Sequence, residues 1–184
     1  KLANRVVVPP MASQTADAEG FVTSKTLAHY QRLAQSQAGL VMVEYTYVHQ
    51  SGKSEPNQLD AHTPQHLKGL KQLAEIIHQS QAMAAIQLTH AGAKSDRATS
   101  GGKLISPSGL AVPVKGAQLE TPDIATIADI VMLKQAFLDA AWLSHQAGFE
   151  IIELHSAHGY GLNQWLSPVT NRRQDQYGGS IANQ

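Results

Sequence analysis

Two histidines and a tyrosine, His155, His158 and Tyr160, are spaced in a way that suits oxyanion and proton chemistry. They follow directly on the apolar run Ile151-Ile152-Glu153-Leu154 and lie beside Gly159. Two imidazoles on one turn can both aim at a single oxygen. A phenol close by can deliver a proton. The apolar run reads as a buried strand, because strands covered on both faces are nearly continuous in apolar residues. The polar cluster then sits at the strand's C-terminal end, where α/β sheets and barrels bind ligands.

Strand and helix signals alternate ahead of that cluster. Arg5-Val6-Val7-Val8 is a β-branched run closed by Pro9-Pro10. Thr23-Ser24 can cap a helix from about Lys25 to Gln37, which Gly39 stops. Leu40-Val41-Met42-Val43 reads as a second, buried strand. Thr63, with Pro64 near the first turn, opens a helix that carries Leu67, Leu70, Leu73, Ala74 and Ile77 at helical spacing up to Ser80. Ala84-Ala85-Ile86-Gln87-Leu88 is a third strand. The Gly-, Ser- and Pro-rich stretch from His90 to Thr121 predicts a functional insertion with a small hairpin. Ile127 to Gln146 reads as a long helix ended by Gly148, and Phe149 to Leu154 as the fourth strand. Leu162 to Leu166 predicts a short further helix.

This order predicts a parallel sheet with helices outside. No GxGxxG follows the first strand, so the α/β class is read as a (β/α)8 TIM barrel and not a dinucleotide-binding sheet. A complete barrel takes about 250 residues. The 184 residues are therefore expected to hold roughly the first four βα units, with residues 1–184 as the N-terminal half of the domain. Lys1 in place of methionine, and the run Ile181-Ala182-Asn183-Gln184 without a stop signal, point the same way. The first and fourth strands would be open edges, which invite self-association into a homo-oligomer. In a parallel sheet the strand ends meet on one rim. They bring Pro10-Met11-Ala12-Ser13, then Glu44-Tyr45-Thr46, then Gln87, Thr89, His90 and Gly92, then His155, His158 and Tyr160.

Composition narrows the partners. Apolar residues make up 42%, enough for a packed core, while 14 basic side chains balance 14 acidic ones. Nothing in that balance favours nucleic acid. No apolar run approaches the roughly 20 residues of a membrane helix. The absence of cysteine and of a visible leader reads as cytoplasmic. Several groups have plainer readings. His62 and His66 are expected to be surface residues at a helix start. Gln87 serves either a structural hydrogen bond or a ligand, since a buried amide without partners costs on the order of 1–3 kcal/mol. His90 either caps a loop or joins the site. Arg172 and Arg173 are expected in loop contacts, and Gly178-Gly179 in a turn. A metal-dependent hydrolase using His155, His158 and His90 with Glu44 or Asp96 is the alternative enzyme, in which strand alternation turns Glu153 away from the site. An inactive fragment is the third reading.

Taken together, the motifs resemble the old yellow enzyme family, in its bacterial branch of NADH:flavin oxidoreductases and ene-reductases. The matching residues are Asn4-Arg5-Val6-Val7-Val8-Pro9-Pro10-Met11, Gly39 to Glu44, and Ile86-Gln87-Leu88-Thr89-His90-Ala91-Gly92. Ser106-Pro107-Ser108, His155-Ser156-Ala157-His158-Gly159-Tyr160, Leu166-Ser167-Pro168 and Asn171 to Ser180 complete the set, in order and over nearly the whole chain. The resemblance implies an FMN-binding barrel that reduces a small substrate with an activated alkene, using NADH or NADPH. It implies hydride from flavin N5, His155 and His158 on the substrate carbonyl oxygen, and Tyr160 as proton donor to the α-carbon. It also implies cofactor binding by Gln87, His155, Tyr45 and the backbone around Pro10, Met11 and Ala12, with no metal. Ala12 and Gln14 stand where one branch has a cysteine and a tyrosine, and Ala93 where an arginine is usual. The family's phosphate site lies at the seventh and eighth strands, so the 184 residues alone are expected to bind FMN poorly and to be inactive.

Overall fold

Strands and helices alternate in the expected order in the computed structural model, which describes residues 1–113 and 120–183. Strand β1 (Val7–Val8) leads to helix α1 (Ser24–Ala34), strand β2 (Leu40–Tyr47), helix α2 (Leu67–His78) and strand β3 (Met83–Thr89). The short strands β4 (Ile105–Ser106) and β5 (Asp123–Ile124) precede helix α3 (Ile127–Ala147), strand β6 (Ile151–Leu154) and helix α4 (Gly161–Leu166). The main sheet runs β1-β2-β3-β6, and every neighbouring pair is parallel.

Local chemistry explains the helix ends. Thr23 accepts from the Thr26 amide while Thr26 accepts from the Thr23 amide, a reciprocal cap that starts α1. Thr126 and Asp129 do the same for α3. Gly148 ends α3 at φ 101°, a left-handed turn that glycine adopts without steric cost. Helix α1 stops before Gln37, which takes φ 59°. Thr63 does not cap α2. Pro64–His66 form a 3-10 turn first, and the Thr63 hydroxyl bonds the His66 ring instead.

The two sheet faces differ, as alternation requires. Val41, Val43, Ile86 and Leu88 face outward and pack under Tyr30 of α1, Leu70, Leu73 and Ile77 of α2, and Ala140 and Leu143 of α3. Leu40, Met42 and Ala85 face the other way, with Met83 and Ile151. That inner face is the interior of a barrel begun by four strands.

Two expectations need correction. The insertion after β3 holds a parallel pair, Ile105↔Asp123 and Ser106↔Ile124, and not a hairpin. Parallel strands need a crossover between them and not a tight turn. Residues 114–119 of that stretch lie outside the described residues. Strand β6 is only half-buried, and Leu154 is exposed, because among the described residues it stands at a sheet edge with no neighbour on its far side. Among the described residues no helix is long and apolar enough to cross a membrane.

Candidate active site

The C-terminal ends of the four sheet strands surround a cavity of about 640 Å³. Pro10, Ala12, Tyr45, Gln87, His155, His158 and Tyr160 all line it. Met11 does not. It lies between two residues that face the cavity, so its side chain points away and is exposed. Only its backbone is available to a ligand there.

Register brings Tyr45 into the mouth. Val43 pairs with Ile86 and Thr46 with Leu88, so Glu44 and Tyr45 together oppose Gln87. This bulge re-aims the side chains at the end of β2. Glu44 is buried and accepts from the Ser13 amide and hydroxyl, and its own N–H donates to the Tyr30 phenol oxygen at 2.8 Å. It ties the segment after β1 to α1 and does not reach the cavity.

Gln87 and Glu153 are register partners on the inner face, and the Gln87 amide donates to the Glu153 carboxylate. Alternation therefore turns Glu153 into the cavity, contrary to expectation. His155, two residues on, shares that side and continues the ladder through its N–H to the Leu88 carbonyl at 2.9 Å. The Gln87 amide oxygen accepts nothing from the described residues.

The chain then turns sharply. His158 at φ 57° and Gly159 at φ 75° fold it back, and the Tyr160 amide donates to the Ala157 carbonyl. The His155 and His158 rings meet edge to face at 5.2 Å, and the Tyr160 ring lies 4.8 Å from His155 and 5.8 Å from Tyr45. Lys94 donates to the His158 carbonyl and sits 4.7 Å above the Tyr160 ring. Gln164, fully buried in α4, clamps the turn. Its Nε2 donates to the carbonyls of Ala91 and Gly159, and its Oε1 accepts from the Ala93 amide. Gly161 donates to the His90 carbonyl at 2.7 Å, an approach so close that a Cβ would lie 2.5 Å from that oxygen.

Protonation follows from these surroundings. His155 Nδ1 accepts from the Ala157 amide at 3.3 Å, which leaves the proton of a neutral ring on Nε2. Burial, then the neighbouring His158, lowers the His155 pKa and keeps the ring neutral. Burial raises the Tyr160 pKa, although hydroxyl contacts from Ser54 and Tyr45 offset part of that, so the phenol keeps its proton. Ser54, Glu55 and Gln164 escaped the sequence reading, and Glu153 was placed on the wrong face. A polar residue inside a strand, or an amide inside a short apolar helix, is the signal that would have pointed to Glu153 and Gln164.

His90 is a structural residue. Its Nδ1 accepts from the Gly92 amide and its Nε2 meets the Ser51 hydroxyl at 3.0 Å. Asp96 caps the turn at Thr99. Among the described residues, His155, His158 and His90 form no metal-sized cluster with Glu44 or Asp96. Arg173 makes the expected loop contacts, donating to the carbonyls of Pro107 and Ala125. The surface reading is overturned for His66, while His62 stays partly exposed. His66 is buried, and both rings gather around the buried Asp60, because the loop after β1 folds over them.

Known proteins share this fold and sequence. The chain is 40% identical to an NADPH dehydrogenase of Halalkalibacterium halodurans over 183 residues, 99% of this chain and 52% of that protein. The fold superposes on an old yellow enzyme from Pichia sp. AKU4542 with a TM-score of 0.91 at 28% identity, covering 99% of this chain and 50% of that one. It superposes equally on morphinone reductase in complex with tetrahydroNAD, with a TM-score of 0.89 at 28% identity, covering 99% and 53%. The chain spans about half the length of the curated relatives it matches, and its sheet corresponds to half of their TIM barrel. Relatives of this kind use FMN, with NADH or NADPH as reductant. The sequence profile of the NADH:flavin oxidoreductase / NADH oxidase family matches residues 1–184, and the chain belongs to that family.

Proposed function

We propose that this chain forms the part of an FMN-dependent ene-reductase site that grips an activated alkene and protonates it. One observation carries the reading: His155, His158 and Tyr160 meet within 4.8–5.2 Å of ring centroids at a mouth shared with Gln87 and Tyr45. The cavity's volume of about 640 Å³ fits a ligand pocket. The Gln87 amide oxygen, without a donor among the described residues, can accept from a flat heterocycle, and Pro10, Ala12 and Tyr45 supply walls for it. When bound, reduced FMN would supply the hydride for the β-carbon. His155, with its proton on Nε2, and His158 donate to the carbonyl oxygen. Each such donor aimed at developing negative charge contributes about 3–4 kcal/mol. Tyr160, held protonated by burial, gives its proton to the α-carbon. The similarity to an NADPH dehydrogenase supports a nicotinamide as the source of electrons. Taken alone, the 184 residues leave β6 as an open edge beside the cavity, and no turnover is expected from them.

Half-reactions test the proposal. In the flavin-loaded enzyme, Tyr160→Phe leaves flavin bleaching by NADPH within about twofold of the parent. It slows recolouring by an enone about 10²–10⁴-fold, the range for a lost general acid. Equal rates of recolouring in parent and variant would end the assignment of Tyr160.

A further inference from the structure

Behind the loop that follows β2, three side chains outside the cavity described above gather metal-binding atoms. Asp60, His62 and His66 each offer one ligand atom, and these lie within 4.8 Å of one another. They border a separate cleft of about 500 Å³ that shares no lining residue with the site of His155 and Tyr160. We infer that Asp60 Oδ2, His62 Nδ1 and His66 Nε2 bind one divalent cation of the zinc class, with water as the fourth ligand.

The geometry is nearly that of a bound ion. A tetrahedral zinc with bonds of about 2.0–2.1 Å has ligand–ligand edges of about 3.3 Å. Asp60 Oδ2 and His66 Nε2 already stand 3.4 Å apart. His62 Nδ1 lies closer to the carboxylate, at hydrogen-bond distance. There the ion replaces the shared hydrogen, which moves to the other ring nitrogen. The His62 side chain is 29% exposed and has room to swing back by the required fraction of an ångström. The other two ligands are held. His66 is 5% exposed, stacks on Phe21 at 4.2 Å, and has its Nδ1 engaged by the Thr63 hydroxyl at 2.9 Å. Without an ion, Nε2 carries the proton and donates to the Glu19 carbonyl; an ion displaces that proton, and Nδ1 then takes it up and donates to the Thr63 hydroxyl, the kind of outer contact that orients ligand histidines. Asp60 Oδ1 accepts from the His62 amide at 2.6 Å, which leaves Oδ2 for the ion. The Glu19 carbonyl, 3.2 Å from His66 Nε2, adds a further oxygen at the rim. Imidazole nitrogens with one carboxylate favour zinc and its transition-metal neighbours over calcium or magnesium. An ion here ties the loop after β1 to the loop of residues 48–66, which also carries Ser54 and Glu55 beside Tyr160.

The test is metal binding and does not depend on turnover. The full chain, stripped with chelator, is titrated with Zn²⁺ by calorimetry, and with Co²⁺ for its visible spectrum. One equivalent binds, and Co²⁺ gives the intense absorption of a tetrahedral site. Loss of contacts around a metal ligand costs 10–100-fold, so loss of a ligand in His62→Gln weakens Zn²⁺ at least about a hundredfold. His62 is partly exposed, so that variant keeps its parent's circular dichroism and melting behaviour. The double variant His155→Gln/His158→Gln binds Zn²⁺ as the parent does. Undiminished binding in His62→Gln, loss of binding in the double variant, or no binding by the parent would each overturn the inference. The last outcome would leave His62 and His66 as mere hydrogen-bonding partners of Asp60. None of these results bears on the role of Tyr160.

Discussion

Acid destabilises this fold through His90, and replacing that side chain by Gln removes the effect. The ring is buried, with Nδ1 accepting from the Gly92 amide at 3.1 Å and Nε2 against the Ser51 hydroxyl at 3.0 Å. A charged imidazolium would lose the Gly92 bond and its hydration together. Burial, helped by nearby His49, pushes the His90 pKa down to about 3. In the unfolded chain it returns to about 6.5. The folded value is the depressed one, so the contribution is complete above pH 6.5 and is lost as pH falls toward 3. Each pH unit in that window costs about 1.4 kcal/mol, and the loss from pH 7.5 to 5 is about 2 kcal/mol. His49 and His155 are also depressed and add to the same slope, so the difference between parent and variant is the informative quantity. At pH 7.5, His90→Gln is less stable by about 1–3 kcal/mol, from hydrogen bonds lost in a buried site. By pH 5 that gap narrows by about 2 kcal/mol. Equilibrium urea unfolding of both proteins at pH 7.5, 6.5 and 5 measures it. A gap that stays constant over this range would show that His90 is not held neutral by the fold.

Two further outcomes probe the turn. The His155 ring titrates below the ordinary histidine value when followed by NMR, and His158→Gln moves its midpoint upward by removing a neighbouring charge, although burial keeps part of the depression. A midpoint that does not move would place the two rings further apart than 5.2 Å. Gly161→Ala forces a Cβ to within 2.5 Å of the His90 carbonyl and displaces the start of α4. It costs about 1–3 kcal/mol of stability and lowers turnover without changing flavin content. An unaltered melting temperature would contradict this packing.

The alternating order, the element types and the rim residues were legible because they rest on local rules. The reciprocal cap at Thr23, the stop at Gly148 and the run of apolar residues in β2 and β3 each act over a few residues. The His155–Tyr160 cluster was legible for the same reason, since one turn carries all three side chains. Glu153 was misread because its partner Gln87 is 66 residues away, and only strand register shows that the two share a face. His66 was misread because periodicity shows a helix start but not the loop after β1 that covers it.

By itself, then, the amino-acid order determined which segments become strands and helices, their parallel arrangement, and the chemistry carried on the turn after β6. Those follow from spacing, capping and hydrophobic period, which are properties of neighbours along the chain. Tertiary structure alone decided which groups meet across it. It set the bulge that turns Tyr45 to the mouth and the Gln164 clamp between β3 and the His158–Gly159 turn. It also set the burial that keeps His155 neutral and Tyr160 protonated, and the gathering of Asp60, His62 and His66. Desolvation and contact between distant segments exist only once the sheet and its loops have closed around these residues.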